Sequence, residues 1–402
     1  VRDAQPENRR HKFFFDLKSA REMALLGEPF MKRLLKFLGL TAAFVALLTL
    51  IWANRTGKFE PRPYQDKTML VPAPKDAQWP AKTITVSLGV YVQKVYDFEV
   101  QPQSFLSEGW VWLVWPQEFQ DLLDAGKVPV GGILDAMNLD RTTNFAITAV
   151  GDTPTKLPDG RYYQVFEYYG KFFATGLDFR HFPFERIRLP LTFGLDPENP
   201  ALNGGNIRLV PDEARFGLGE YTSLPGYVLT GRQLTEFIEK RQAAVGPPSN
   251  PTQTDARISR VQMGVIYKTS VTAAFLQLLL PLGVVMAVVL LAPNLAGSLW
   301  DVRIALPSTA LLTLIFLQQG YRTQLPSLPY LTFLDQVYTL CYGTSLAIFS
   351  LFVWSSNRLD RASESERPAV IEHINRIDLR FQIGLTTALL GLTCLSWFFP
   401  VR

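Results

Sequence analysis

The chain is poor in the residues on which most catalytic and metal chemistry rests: it has 3 histidines and 2 cysteines among 402 residues. His11, His181 and His373 are scattered, so neither a metal-ligating cluster nor a nucleophile–base arrangement is readable. Cys341 and Cys394 fall inside apolar runs and read as small core residues, which leaves the polar part of the chain without a disulfide staple. There is no glycine-rich phosphate loop, internal repeat or low-complexity tract. A net charge of +4 is too small to point to nucleic acid. Glu185 beside Arg186 and Arg188 reads as a salt-linked loop rather than an acid–base pair. The expectation is therefore a protein that is not an enzyme and uses no cofactor and no metal.

What the chain has in abundance is apolar sequence, 48% overall and unevenly spread. Four runs in the last third, Val271–Ala292, Ile304–Tyr321, Gln336–Asn357 and Phe381–Phe399, each have about the 17–25 residues that a helix needs to cross a bilayer. A fifth, Phe37–Ala53, stands alone near the N-terminus. From Met31 it has the charged start and apolar middle of a signal peptide, although it is long for one and lacks a small-residue cleavage site. Anchor and signal peptide both stay open, and Asn54-Arg55-Thr56 beside it fits a glycosylation pattern. Residues 1–33 carry eight Lys or Arg, Ser355–Arg380 carries five, and Gly320–Gln336 carries only Arg322. Positive charge stays on the cytoplasmic side, so the first two segments read as cytoplasmic and the region between the anchor and the cluster as external.

That region alternates with period two. Val86, Leu88, Val90 and Val92 share one face, as do Ile187, Leu189, Leu191 and Phe193. Turn signals at Pro158–Gly160 and Asn203–Gly205 separate the runs. Short helical pieces are expected only near Gln117–Ala125 and Gln233–Gln242. The chain thus divides into a tail (1–33), an apolar anchor or signal helix (34–54), an extracytoplasmic antiparallel β-sandwich (55–268) and a four-helix transmembrane bundle (269–402).

The second of the four spans is unusual in carrying hydroxyls and amides. At about 100° per residue, Ala305, Thr309, Leu312, Phe316, Gln319 and Thr323 fall close to one line along the helix. Polar groups at bilayer depth are costly unless they face a bundle interior or water. Helix packing, with each Thr bonded to its own backbone, is the competing account.

The segment Arg303–Phe316, "RIALPSTALLTLIF", resembles the pore-lining second span of the pentameric ligand-gated ion channels, the Cys-loop receptor superfamily, and in particular their prokaryotic members. "LPSLPYLTFLDQ" (Leu325–Gln336) resembles the link into their third span. "FRHFPFERIRLPLTFG" (Phe179–Gly194) resembles their signature loop, with its core at Phe182, Pro183, Phe184 and Glu185. Val90–Pro116 and Ile258–Gly283 are similar to the first two strands and to the last strand with the first span, in the same order. The pattern is not complete. The loop cysteines would fall at Thr175 and Leu189, Pro307 replaces a small residue and is tolerable only in the first helical turn or at a kink, and a Trp-x-Pro element is missing.

The resemblance implies a homopentamer with a water path along the Ala305–Thr323 stripe, opened by an unknown small-molecule or ionic ligand and passing inorganic cations. Leu312 and Phe316 would form an apolar gate, and Asp301, just before the span, an acidic ring at the cytoplasmic mouth. Phe182, Pro183, Phe184, Glu185 and Lys268 would couple the sandwich to the link at Pro326 and Tyr330. Trp112 and Phe166 are the candidates for ligand contact, although the same aromatics also read as core, and the expected capping loop, Lys240–Arg257, holds no aromatic residue. The setting would be a bacterial inner membrane, in contact with lipid and with the sandwich outside. The alternative is a membrane-anchored sensor that conducts nothing.

Overall fold

The computed structural model describes residues 69–74, 79–80, 82–196, 199, 201–202, 207–240 and 257–398. The N-terminal tail, the apolar run Phe37–Ala53, Asn54 and most of the expected capping loop lie outside them.

The described chain runs through β1 (Met69–Pro72), β2 (Ile84–Glu99), β3 (Ser104–Trp115), α1 (Gln117–Gly126), β4 (Leu134–Ala136), β5 (Ala146–Ala149), β6 (Thr155–Lys156), β7 (Tyr162–Phe173), β8 (Arg186–Leu195), β9 (Ile207–Pro211), β10 (Gly217–Tyr221), β11 (Tyr227–Lys240) and β12 (Arg257–Thr269). A five-stranded sheet has the order β1-β11-β12-β8-β4, and a seven-stranded sheet follows β10-β2-β3-β7-β5, with β9 added on β2 and β6 on β7. The two period-two runs meet between the sheets: Val86, Leu88, Val90 and Val92 of one and Ile187, Leu189, Leu191 and Phe193 of the other belong to one core, all with no exposed surface. α1 closes an end of it by burying Phe119 and Leu123, one turn apart.

Two expectations need correction. The sandwich is not wholly antiparallel, because β9 and β10 both run parallel to β2. After β8 the chain crosses from one sheet to the edge of the other, and a crossover, unlike a hairpin, does not enforce antiparallel pairing. The stretch Gln233–Gln242 is not helical: through Lys240 it belongs to β11, which pairs with β12 along its length. Its Gln, Glu and Leu residues favour a helix locally, but Leu234 and every residue from Glu236 to Glu239 are buried, and the ladder with β12 prevails.

Four helices follow: α2 (Val271–Asn294), α3 (Trp300–Arg322), α4 (Phe333–Asp360) and α5 (Arg367–Phe398). All four are long and apolar enough to cross a membrane. α4 is the central one, with 44% of its apolar stretch buried against 22% for α2 and α3 and 11% for α5. α2 contains a π-helical turn at Phe275–Leu279, just ahead of Pro281. Proline has no N–H for the preceding turn and its ring crowds the carbonyl there, which a widened turn relieves. In α3, Pro307 lies beyond the first turn, on the buried face and inside a helix that continues past it.

Candidate functional site

The sheet domain meets the helices at the segment between β7 and β8, which contains Phe179–Glu185 and a cis Phe182–Pro183 peptide. A helix leaves its first N–H groups without internal partners. At the start of α4 this segment supplies them: Phe333 N donates to the Arg180 carbonyl at 2.8 Å and Leu334 N to the Phe182 carbonyl at 3.2 Å. Phe182 stacks on Tyr321 of α3, ring centres 5.9 Å apart, while Phe184 meets Trp397 of α5 edge-on at 5.4 Å and Phe333 at 6.5 Å. In the link, the Tyr330 hydroxyl accepts from Phe179 N at 3.2 Å and the Tyr330 ring lies 4.6 Å from the Arg180 guanidinium carbon. From the turn between β2 and β3, Gln101 Nε2 donates to the Thr323 carbonyl at 2.6 Å, at the end of α3.

Of the expected coupling residues, Phe182, Phe184 and Tyr330 are thus brought to one junction. Pro183 is buried with them and Pro326 is half-buried in the link, whereas Lys268 is exposed near the end of β12. Glu185 is buried, but its partners are not arginines. Tyr227 donates to its Oε1 at 3.4 Å, and Thr269 N donates to its carbonyl at 3.2 Å. The salt-linked loop expected from Arg186 and Arg188 fails because Arg186 and Arg188 start β8 on its outer face, while Glu185 is buried behind them. Burial raises the Glu185 pKa and also that of Tyr227.

The link itself is held by a cluster that the motif T-x-x-D announces. Thr332 caps α4, and the buried Asp335 accepts from Thr332 N at 3.0 Å, Thr332 Oγ1 at 2.9 Å, Arg322 Nε at 2.9 Å and the Tyr321 hydroxyl. All its acceptor positions face donors, which is what a buried carboxylate requires.

On α3, Arg303, Pro307, Ala310, Leu314 and Tyr321 face the bundle. Ala305, Thr309, Leu312, Phe316, Gln319 and Thr323 are all exposed on the single chain, Leu312 by 54% and Phe316 by 67%. The phase is fixed at the first turn by Arg303, which is buried in an ion pair with Asp378 of α5 and lies 4.3 Å from the Phe352 ring of α4. Asp301, two residues earlier, is exposed, whereas Arg303 is buried in its pair with Asp378. The hydroxyls of Thr309 and Thr313 donate to the carbonyls of Ala305 and Thr309, each at 2.9 Å, so the helix satisfies them itself. Gln318 accepts from Tyr342 of α4 at 2.7 Å and is a packing residue, not a stripe residue.

Phe166 has no exposed surface and is part of the sandwich core, which removes it as a ligand contact. Trp112 is half-buried, and its Nε1 donates to Asp212 at 3.0 Å. Among the described residues no group of histidine, cysteine or acidic side chains has metal-site geometry. The sequence reading missed the Arg303–Asp378 pair and Trp397; a charged residue in the same turn as an apolar run was the available signal. No protein-family model matches the chain, and no curated protein matches it.

Proposed function

We propose that the chain is one subunit of a pentameric, cation-selective ligand-gated ion channel of the Cys-loop type. The observation that carries this reading is the junction: carbonyls of the Phe179–Glu185 segment bond the first amides of α4 while Phe182 and Phe184 pack on α3, α4 and α5. A rearrangement of the sheets would therefore be passed directly to the helices. The exposed face of α3 supports the second half of the reading, because among the described residues nothing packs over it.

In the assembly, five copies of this face would enclose the path. Backbone-bonded threonines still offer oxygen lone pairs to water, and Leu312 with Phe316 would give an apolar constriction that stops ions by dewetting. Asp301 would ring the inner mouth and raise the local cation concentration. The sandwich would lie outside an inner membrane, with the N-terminus and the α4–α5 connection in the cytoplasm. Native mass spectrometry of the detergent-extracted particle tests the assembly: five subunits per particle is the expected result, and a monomer or dimer removes the proposal.

A further inference from the structure

Two arginines lie flat on the outer face of the five-stranded sheet, and among the described residues only one of them is answered by an acid. A Cβ on Gly264 would stand 2.3 Å from Arg188 Nε, and one on Gly194 would stand 2.2 Å from Arg260 Nη1, so each guanidinium lies down because the neighbouring strand has a glycine there. Arg260 meets Glu239, Nε to Oε2 at 2.9 Å. Among the described residues, the Nε and Nη2 of Arg188 are buried with no hydrogen-bond partner. These two nitrogens form one edge of the guanidinium, the edge that receives a carboxylate through two parallel hydrogen bonds. Burial lowers the Arg188 pKa.

A cavity of ≈ 300 Å³ opens beside that edge, at the lower end of the range for small-molecule sites, about 300–1,000 Å³. Arg186, next along the same face of β8, adds a second positive charge, and Phe237 and Leu177 give apolar walls. The Phe237 ring centre lies 5.9 Å from the Arg188 guanidinium carbon. Asp178 is the acid in the lining, and it is engaged by Arg180, through the backbone N at 2.9 Å and the guanidinium at 3.4 Å.

We propose that this cavity binds a small organic carboxylate, its charged end in a two-point bond with Arg188 beside Arg186 and its body against Phe237 and Leu177. The apolar walls favour an organic acid over an inorganic anion, which would leave them facing nothing. Another wall is the stretch Thr175–Asp178, the arm that leads into the junction with α4. An occupant would therefore touch the segment that holds the helices; this consequence rests on the channel reading, whereas the binding does not.

The test is calorimetric titration of the full chain in detergent with benzoate, benzamide and sulfate. Benzoate should bind, and benzamide and sulfate should bind at least about tenfold more weakly, since a site built for a charged two-point bond penalises its loss. Arg188→Gln should weaken benzoate by about tenfold or more, and Arg188→Lys by less, because an ammonium keeps the charge but not the fork. Benzamide binding as well as benzoate, sulfate binding as well as benzoate, or no benzoate binding to the parent would each overturn the proposal. In the last case, subunit dissociation of Arg188→Gln would assign the site to a neighbour's acid instead. The comparison of benzoate with benzamide on the parent protein needs no variant and so does not depend on a variant's folding. Benzoate that binds without altering ion flux would leave the site standing and count against its link to gating.

Discussion

The Arg303–Asp378 pair is the most direct place to perturb the membrane domain. Both side chains are 1% exposed, and the guanidinium also lies against Phe352, so three of the four helices meet at this point. Removing one partner of a buried pair leaves the other charge desolvated, at a cost of about 3–5 kcal/mol, whereas replacing both with apolar groups of similar volume is often neutral or stabilising. Asp378→Asn should thus lower the thermal unfolding midpoint of the detergent-solubilised protein markedly. Arg303→Met with Asp378→Leu should recover most of that loss, and a double-mutant cycle reads the coupling. The functional consequence is separable: without this pin nothing at the first turn fixes the rotation of α3, and an introduced cysteine at Leu312 should lose its uniform reactivity toward a water-soluble thiol reagent. If Asp378→Asn stays within about 1 kcal/mol of the parent, as an exposed pair would, the pair does not hold the bundle and the reasoning fails.

Three further outcomes are expected. Phe184→Ala loses ring contacts with Phe333 and Trp397, together about 1–3 kcal/mol; assembly should persist while opening by any activating ligand shifts to higher concentrations, and unchanged dose dependence counts against the junction as coupler. Asp301→Asn should reduce single-channel cation conductance and Asp301→Lys should move the reversal potential in a salt gradient toward that of chloride, whereas an unmoved potential takes Asp301 out of ion selection. For Glu185, burial raises the folded pKa above the unfolded one, so its contribution to stability is fully present below the ordinary carboxylate range and is lost as pH rises through that range to the folded value. Glu185→Gln should flatten that slope in unfolding midpoints taken across pH, and an equal slope in parent and variant would contradict the assignment.

The elements most legible in the sequence are those where one physical signal acts alone. Val86–Val92 and Ile187–Phe193 alternate because one face is buried, and the spans announce themselves because nothing but a bilayer or a core takes such runs. The failures fall where a distant partner decides. Gln233–Lys240 has helix-forming side chains, and only its ladder with β12 makes it a strand. Glu185 lies beside two arginines in sequence, yet strand alternation sends them to the other side. Phe166 is aromatic in a run of aromatics, and sequence does not tell which of them the second sheet covers. The stripe on α3 was readable from spacing, whereas the pin that orients it was not, because Arg303 and Asp378 lie far apart in the chain. The capping of α4 by Arg180 and Phe182 carbonyls leaves no mark in side-chain patterns at all.

The central claim, that the exposed face of α3 encloses an ion path, is tested most directly by flux through reconstituted protein that needs no ligand. Leu312→Ser places a hydroxyl at mid-helix on that face, where the apolar constriction should otherwise keep water out. Purified parent and Leu312→Ser proteins would be placed in liposomes and tracer-cation uptake followed. The account predicts little uptake with the parent and spontaneous, cation-preferring uptake with Leu312→Ser; equal, negligible uptake from both proteins, each assembled and folded, would contradict it.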